Sequence, residues 1–209
     1  MEIIIGVIIG VVAMLGVSSA RKKRAGHPEP ERQRPEAAAN VHALQHKRTV
    51  EPPTHHELFR LQLQDVISCL GTDYIIEGRI DMEEDGEVWT SYMLVDGSDV
   101  VWLCVEDDDE IETSLWTEVE DCPIPQEVPD IVEYQAKRFQ LVERGTAKAS
   151  QMGETGQKSG KKVRYFDYDC PGVEDRLAVE IWRGAIEVYT GHAITPGTLQ
   201  IFPHDGREL

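Results

Sequence analysis

Short apolar runs that alternate with polar residues fill most of the chain from residue 57 onward, and turn-forming residues interrupt them every few positions. Successive side chains of a β-strand point to opposite faces, so this period of two predicts strands with one buried face. The pair Asp85-Gly86 separates two of these runs, as the tight turn of a β-hairpin requires. The pattern therefore predicts an all-β, mainly antiparallel domain.

Two parts of this domain resemble each other. The segment WLCVE at residues 102–106 follows the aromatic residue Tyr92. The segment RLAVE at residues 176–180 follows Phe166 at the same sequence separation. A repeated motif flanked by turns on both sides is typical of a duplication. We therefore expect a duplicated β-meander, which forms either the two sheets of one sandwich or two small barrels side by side.

The first 24 residues predict a membrane anchor. Residues 3–20 are apolar and uncharged, and the basic cluster at 21–24 follows directly. As a helix this run would be about 27 Å long, close to the thickness of the hydrocarbon layer. A cleaved signal peptide is the alternative, but its basic residues would precede the run. Because basic residues stay on the cytoplasmic side, the N-terminus is expected outside the cell membrane and the remainder of the chain in the cytoplasm.

Gly6 and Gly10 lie one helical turn apart in this run. That spacing permits close packing of two membrane helices, which is compatible with a homo-oligomer. Glycine is also common in membrane helices that do not associate in this way. Both interpretations therefore stay open.

Composition divides the remainder of the chain. Residues 25–56 are rich in proline and charged residues, which predicts a flexible linker, and the β domain then covers residues 57–209 with halves at about 57–121 and 134–203. The net charge is −17, and the acidic residues concentrate in the β domain. Such a domain repels nucleic acids and favours a basic protein or a polyamine as partner.

The repeated motif supplies the candidate binding residues. With a period of two, Trp102 and Glu106 share one face of a strand, and so do Glu180 and Trp182. If the halves pack around a pseudo-twofold axis, the two carboxylates converge on a cation or polyamine, or form an acid/base pair. The alternative is that each glutamate pairs with a nearby Lys or Arg.

Motifs of known chemistry are missing from the sequence. It contains no P-loop, dinucleotide fingerprint, nucleophile elbow or HExxH motif. Its four cysteines are not spaced as metal ligands. No catalytic residue, metal site or cofactor is therefore predicted.

A series of short motifs in this domain resembles the bacterial DUF4178 family over residues 57–203. The motifs lie at residues 63–67, 74–78, 89–94, 102–106, 165–168 and 177–182. One departure is Gln64, where the family pattern leads us to expect a glycine before Asp65. The resemblance implies a β domain without an accepted enzymatic activity, whose relatives are encoded beside small membrane proteins and spermidine-synthase-like proteins.

Together these features favour a membrane-tethered cytoplasmic binding or scaffold module that recruits a basic partner or a cationic ligand. The alternative is a hydrolase or transferase that uses Glu106 and Glu180.

Overall fold

The structure, a computed structural model, describes residues 53–107, 111–156 and 161–207. The predicted anchor at residues 1–24, with Gly6 and Gly10, lies outside these ranges, as does nearly all of the predicted linker. Among the described residues, no helix is long and apolar enough to span a bilayer. The prediction of a transmembrane helix therefore gains no support from the structure.

The described residues form antiparallel strands with two very short helices. In chain order the elements are α1 (His55–Leu58), β1 (Val66–Cys69), β2 (Thr72–Glu84), β3 (Glu87–Asp96), β4 (Asp99–Asp107), β5 (Ile111–Glu118), β6 (Ile131–Tyr134), β7 (Lys137–Gly153), β8 (Lys162–Asp169), β9 (Asp175–Trp182), β10 (Ala185–Ile194), a 3₁₀ turn (Pro196–Thr198) and β11 (Leu199–Phe202).

Eight of the strands close into a single barrel. Their order is β2-β3-β4-β5-β10-β9-β8-β7, and β7 pairs back onto β2. The expected sandwich or pair of small barrels is therefore wrong, because each meander supplies four strands to one closed barrel. Closure depends on the length of β2 and β7, with 13 and 17 residues. Each has room for two partners on the same edge.

Three further strands lie outside the barrel. The first part of β2 pairs with β1, which in turn pairs with β11. At the opposite side, the first part of β7 pairs with β6. These extra strands cover parts of the barrel wall that would otherwise face water.

The two meanders carry the same irregularity at matching points. The register of β2 shifts between Ile76 and Gly78, and that of β7 shifts between Leu141 and Glu143. A β-bulge adds one residue and so changes which face the following side chains occupy. Ile76 and Leu141 consequently pack against the outer clusters, whereas the residues after the bulge turn toward the interior.

Both faces of the barrel wall carry clusters of buried residues. The interior cluster draws residues from around the barrel: Ile80, Met82, Met93, Trp102, Ala147, Val163, Ala178, Trp182 and Tyr189. One outer cluster, which includes Leu103 and Val105, is covered by α1, β1 and β11. A second outer cluster, which includes Leu177 and Val179, is covered by β6 and the segment that precedes it. The strand face that the alternating pattern predicts to be exposed to solvent therefore lines the interior of the barrel.

Candidate functional site

Three carboxylates share the face that lines the barrel. Glu106 lies four residues after Trp102 on β4, Asp167 four residues after Val163 on β8, and Glu180 two residues after Ala178 on β9. Trp102, Val163 and Ala178 all belong to the interior cluster, and side chains an even number of positions apart on a regular strand share a face. The three acids therefore point into the barrel, where each remains partly accessible to water.

The strand register sets a further acid directly opposite each of them. Glu106 lies opposite Glu112 on β5, Asp167 opposite Glu143 on β7, and Glu180 opposite Glu187 on β10. Like charges at opposed positions of neighbouring strands repel each other. Both meanders thus contribute pairs of opposed acids.

Hydrogen bonds in this interior are few. Glu180 Oε2 accepts a bond of 2.7 Å from Trp182 Nε1, and Glu106 Oε1 lies 3.6 Å from the Cys104 thiol. The carboxylate of Asp167 accepts no hydrogen bond from the described part of the chain. An ionised carboxylate in such surroundings has lost much of its hydration without gaining donors, which is costly.

The electrostatics follow from this arrangement. Burial raises the pKa of Asp167 to about 8, and repulsion by Glu106, Glu180 and Glu143 adds to the effect, although Arg176 opposes it. Burial also raises the pKa of Glu180 to about 7. The pKa of Glu106 rises through burial and through repulsion by Glu112. Near neutral pH Asp167 and Glu180 are therefore partly protonated, whereas ordinary carboxyls have lost their protons.

Arg176 supplies positive charge near the acids, but it is shared. Its guanidinium lies 3.8 Å from Glu112 and 3.8 Å from Asp169. Both ion pairs are long and partly exposed, so each stabilises the fold only slightly. The charge of Arg176 is therefore not dedicated to Asp167.

Tyr165 connects this interior to the rim of the barrel. Its hydroxyl donates to Glu84 Oε2 at 2.6 Å, and Glu84 Oε1 accepts from the backbone N–H of Thr146 at 2.8 Å. Gly145 permits this approach, because a Cβ there would lie 2.1 Å from Glu84 Oε2. The ring of Tyr165 also meets Trp89 edge to face, with centroids 5.5 Å apart. The aromatic rings of Tyr165 and Trp89 therefore lie beside the interior carboxylates.

A depression on the outside of the barrel is a weaker candidate. Val128, Asp130, Arg144 and Arg164 are among the residues that line it. Arg144 forms an ion pair with Asp130, and Arg164 stacks over Phe166 at 5.3 Å from the ring centroid. Arg144 is therefore already paired with Asp130, whereas the contact with Phe166 leaves the charge of Arg164 unneutralised.

Comparison with known proteins places this geometry in a family. The model of a domain of unknown function, DUF4178, matches residues 62–196, which include all three interior carboxylates. The chain belongs to the DUF4178 family. Uncharacterised proteins of Mycobacterium bovis and of two strains of Mycobacterium tuberculosis are 30% identical to it over 148 residues, covering 66% of this chain and 69% of theirs. No solved structure matches the chain.

The DUF4178 barrel brings the four residues singled out from sequence to one interior. Trp102 and Trp182 are buried there, 8% and 0% exposed, and Glu106 and Glu180 share their faces. Within the described ranges, no group of three or more His, Cys, Asp or Glu side chains is arranged to hold a metal ion. The residue that sequence reasoning missed is Asp167. The one available signal was an acid between two aromatic residues of a predicted strand.

Proposed function

We propose that this DUF4178 domain is a binding module whose barrel takes up an organic cation, namely a primary amine or polyamine. The observation that carries the proposal is Asp167, an interior acid with acidic neighbours and no hydrogen-bond donor in the described part of the chain. Its raised pKa is a measure of missing positive charge. A bound ammonium group would supply that charge.

Charge complementarity supports the proposal. An ammonium group beside Glu106, Asp167 and Glu180 would favour their ionised forms, so binding would release protons. The ligand would offset the mutual repulsion of the acids, which is strong in a low-dielectric interior.

The lining of the site also supports an organic cation. The interior of an eight-stranded barrel is wide enough for side chains alone or for one small ligand. Trp102 and Trp182 line the same interior as the acids. Indole rings attract cations through their faces and pack against alkyl chains. Carboxylates beside tryptophans therefore suit a cation with an apolar body.

Isothermal titration of the full chain with putrescine and with n-butylamine, each at neutral pH, tests the proposal. We expect saturable binding whose heat depends on the ionisation enthalpy of the buffer, because protons leave the acids. Asp167→Asn and Glu180→Gln should each weaken binding about tenfold or more, the loss of one charge-assisted contact.

Asp169→Asn is the matched control, since Asp169 is an exposed acid two residues further along β8. Its affinity should equal that of the native chain. The proposal is wrong if neither amine binds, or if Asp167→Asn, Glu180→Gln and Asp169→Asn all bind as the native chain does.

Acid/base catalysis is a second candidate function, and one observation favours it. Glu180 and Asp167, with pKa values of about 7 and about 8, are partly protonated at neutral pH, as a general acid must be. A hydrolase or transferase would use them with Glu106. Any such activity should follow a pH profile that Asp167→Asn shifts, whereas a pure binding module would show no turnover.

The cellular address and a basic protein partner stay predictions from the sequence. Residues 1–24 and the acidic charge of the domain motivate them. Fractionation of cells that express the full chain tests the predicted localisation at the cytoplasmic face of the membrane. A chain found in the soluble fraction would refute it.

A further inference from the structure

Arg176 places a positive charge beside the acids of the barrel. It lies on β9 two residues before Ala178, a member of the interior cluster, so its side chain starts from the face that lines the barrel. Its guanidinium lies 3.8 Å from Glu112 Oε2 on β5 and 3.8 Å from Asp169 Oδ1 on β8. Strand β10 separates β9 from β5 in the sheet, so the side chain crosses one strand to reach Glu112.

Each acid that Arg176 contacts is the neighbour of an interior acid. Glu112 lies directly opposite Glu106, and Asp169 lies two residues beyond Asp167 on β8, about 7 Å along the strand. Burial raises the pKa of both Glu106 and Asp167, and the charge of Arg176 partly offsets the rise. Arg176 therefore lies where a second cation would bind beside one held by the interior acids.

Arg176 holds Glu112 and Asp169 without satisfying them fully. A separation of 3.8 Å exceeds the length of a charge-assisted hydrogen bond, about 2.7–2.9 Å. Both carboxylates are more than half exposed, so each keeps oxygens that a closer cation would bind. A second ammonium group would meet the guanidinium there, however, and like charges repel each other.

We infer that Arg176 is a specificity-determining residue, which restricts the amine site to ligands with one cationic end by occupying the position of a second ammonium group. This inference rests on the proposed function, and it narrows the ligand class from polyamines to monoamines. Because Arg176 is part of the chain, it reaches Glu112 and Asp169 without any association from solution. A free ammonium group therefore competes with it at a disadvantage.

Titration of the full chain with n-butylamine and with putrescine, which has the same carbon chain and a second ammonium group, tests the inference. The native chain should bind the two amines within about threefold of each other. In Arg176→Gln, putrescine should bind roughly tenfold more tightly than n-butylamine, the contribution of one charge-assisted contact. Adding Asp169→Asn to Arg176→Gln should reduce this gain, because one partner of the second ammonium group is then lost.

Two control variants separate the position of the charge from its presence. Arg176→Lys keeps a positive charge on the same strand face and should keep the native ratio of affinities. Lys137→Gln removes a positive charge too, but from an exposed ion pair with Asp175, whose side chain points to the opposite face of β9 from that of Arg176. Its ratio should equal that of the native chain.

A measurement without any amine checks the electrostatics. NMR titration of the carboxyl groups should give a higher pKa for Asp167 in Arg176→Gln than in the native chain, because the charge that opposes the effect of burial is gone. An unchanged pKa would overturn the inference, since the charge of Arg176 would then not act at the interior acids.

The possible failures are distinguishable, and the first needs no variant. If the native chain already binds putrescine about tenfold more tightly than n-butylamine, Arg176 does not exclude a second cation, and the inference is wrong while the proposed function stands. The same holds if amines bind but Arg176→Gln prefers putrescine no more than the native chain does. If neither amine binds, both proposals fail.

Discussion

Two aspartates inside this fold have pKa values that are shifted in opposite directions. Asp65, at the start of β1, is 0% exposed, yet its pKa is lowered, because donors from Arg207, Gln62 and His204 outweigh the effect of burial. Asp167, inside the barrel, has a pKa raised to about 8. Burial alone therefore does not decide whether a carboxyl group is ionised. The hydrogen-bond donors around it decide that. Asp65 is surrounded by donors that stabilise its ionised form, whereas the Asp167 carboxylate has none among the described residues.

The partners of Asp65 come from both ends of the domain. Its carboxylate accepts from Arg207 Nη1 at 3.0 Å, from the His204 N–H at 3.1 Å and from the Gln62 N–H at 2.8 Å. Arg207 Nη2 donates to the second oxygen. These bonds hold the segment after β11 against the entry to β1, beside the pairing of these two strands.

Replacing Asp65 should have the largest effect on the free energy of unfolding. Asp65→Asn removes the charge and leaves the Arg207 guanidinium, which is only partly exposed, with the exposed carboxylate of Asp205 as its remaining ion-pair partner. Loss of one member of a buried ion pair costs about 3–5 kcal/mol, and we expect the lower value. Denaturant titration at neutral pH measures the loss.

Asp205→Asn is the control, because Asp205 also contacts Arg207 but is exposed. It should change stability by less than about 0.5 kcal/mol. The lowered pKa of Asp65 means that its contribution is present at neutral pH and disappears as pH falls through the folded pKa. The deficit of Asp65→Asn should therefore shrink in acid; a deficit that persists unchanged would show that the charge is irrelevant.

Replacing Asp167 should have the opposite sign. Its folded pKa of about 8, like that of Glu180 at about 7, exceeds the value of an unfolded chain, roughly 4. The folded chain then holds more protons than the unfolded chain between about pH 4 and pH 8, so stability falls as pH rises through that window. Asp167→Asn should gain about 1–2 kcal/mol at pH 8 and nothing near pH 4.

Thermal or denaturant unfolding across this pH range checks the prediction. Asp169→Asn, at an exposed position of the same strand, should follow the native pH curve. If Asp167→Asn unfolds more easily than the native chain at pH 8, the comparison with Asp65 collapses, because Asp167 would then be a paired structural acid as well.

The strands were predictable because their signals are local. Alternation places β3 and β4, and the turn between β2 and β3 uses Asp85 and Gly86 with φ of 53° and 102°, the left-handed backbone that such a hairpin turn requires. Barrel closure was not predictable, because it depends on a long-range pairing. Residues 78–83 must meet residues 148–153, and no local pattern specifies which edges join.

The candidate site shows the same limit. Glu106 and Glu180 stood out because they repeat, and repetition is visible in a sequence. Asp167 has no such counterpart. The equivalent position in the first half, at the separation that joins Glu106 to Glu180, is Met93. Only the register, which sets Asp167 between Glu143 and Ala178, shows that an acid enters the interior there.

The smallest expected effect concerns Gln64, beside Asp65, where the family pattern led us to expect glycine. Gln64 has a φ of 72°, a left-handed conformation that costs a residue with a Cβ about 1–2 kcal/mol. Its N–H donates to the Ile76 carbonyl at 2.8 Å, so the strained backbone is held in place. Gln64→Gly relieves the strain, but it also gives the unfolded chain more conformational freedom. That freedom lowers the free energy of unfolding by about 0.5–1 kcal/mol. We expect a net gain of about 0.5 kcal/mol by denaturant titration, and none in Gln64→Ala, which keeps the Cβ. Equal stability of the two variants would mean that the segment leading to Asp65 adapts its backbone, and that the region is less rigid than its hydrogen bonds imply.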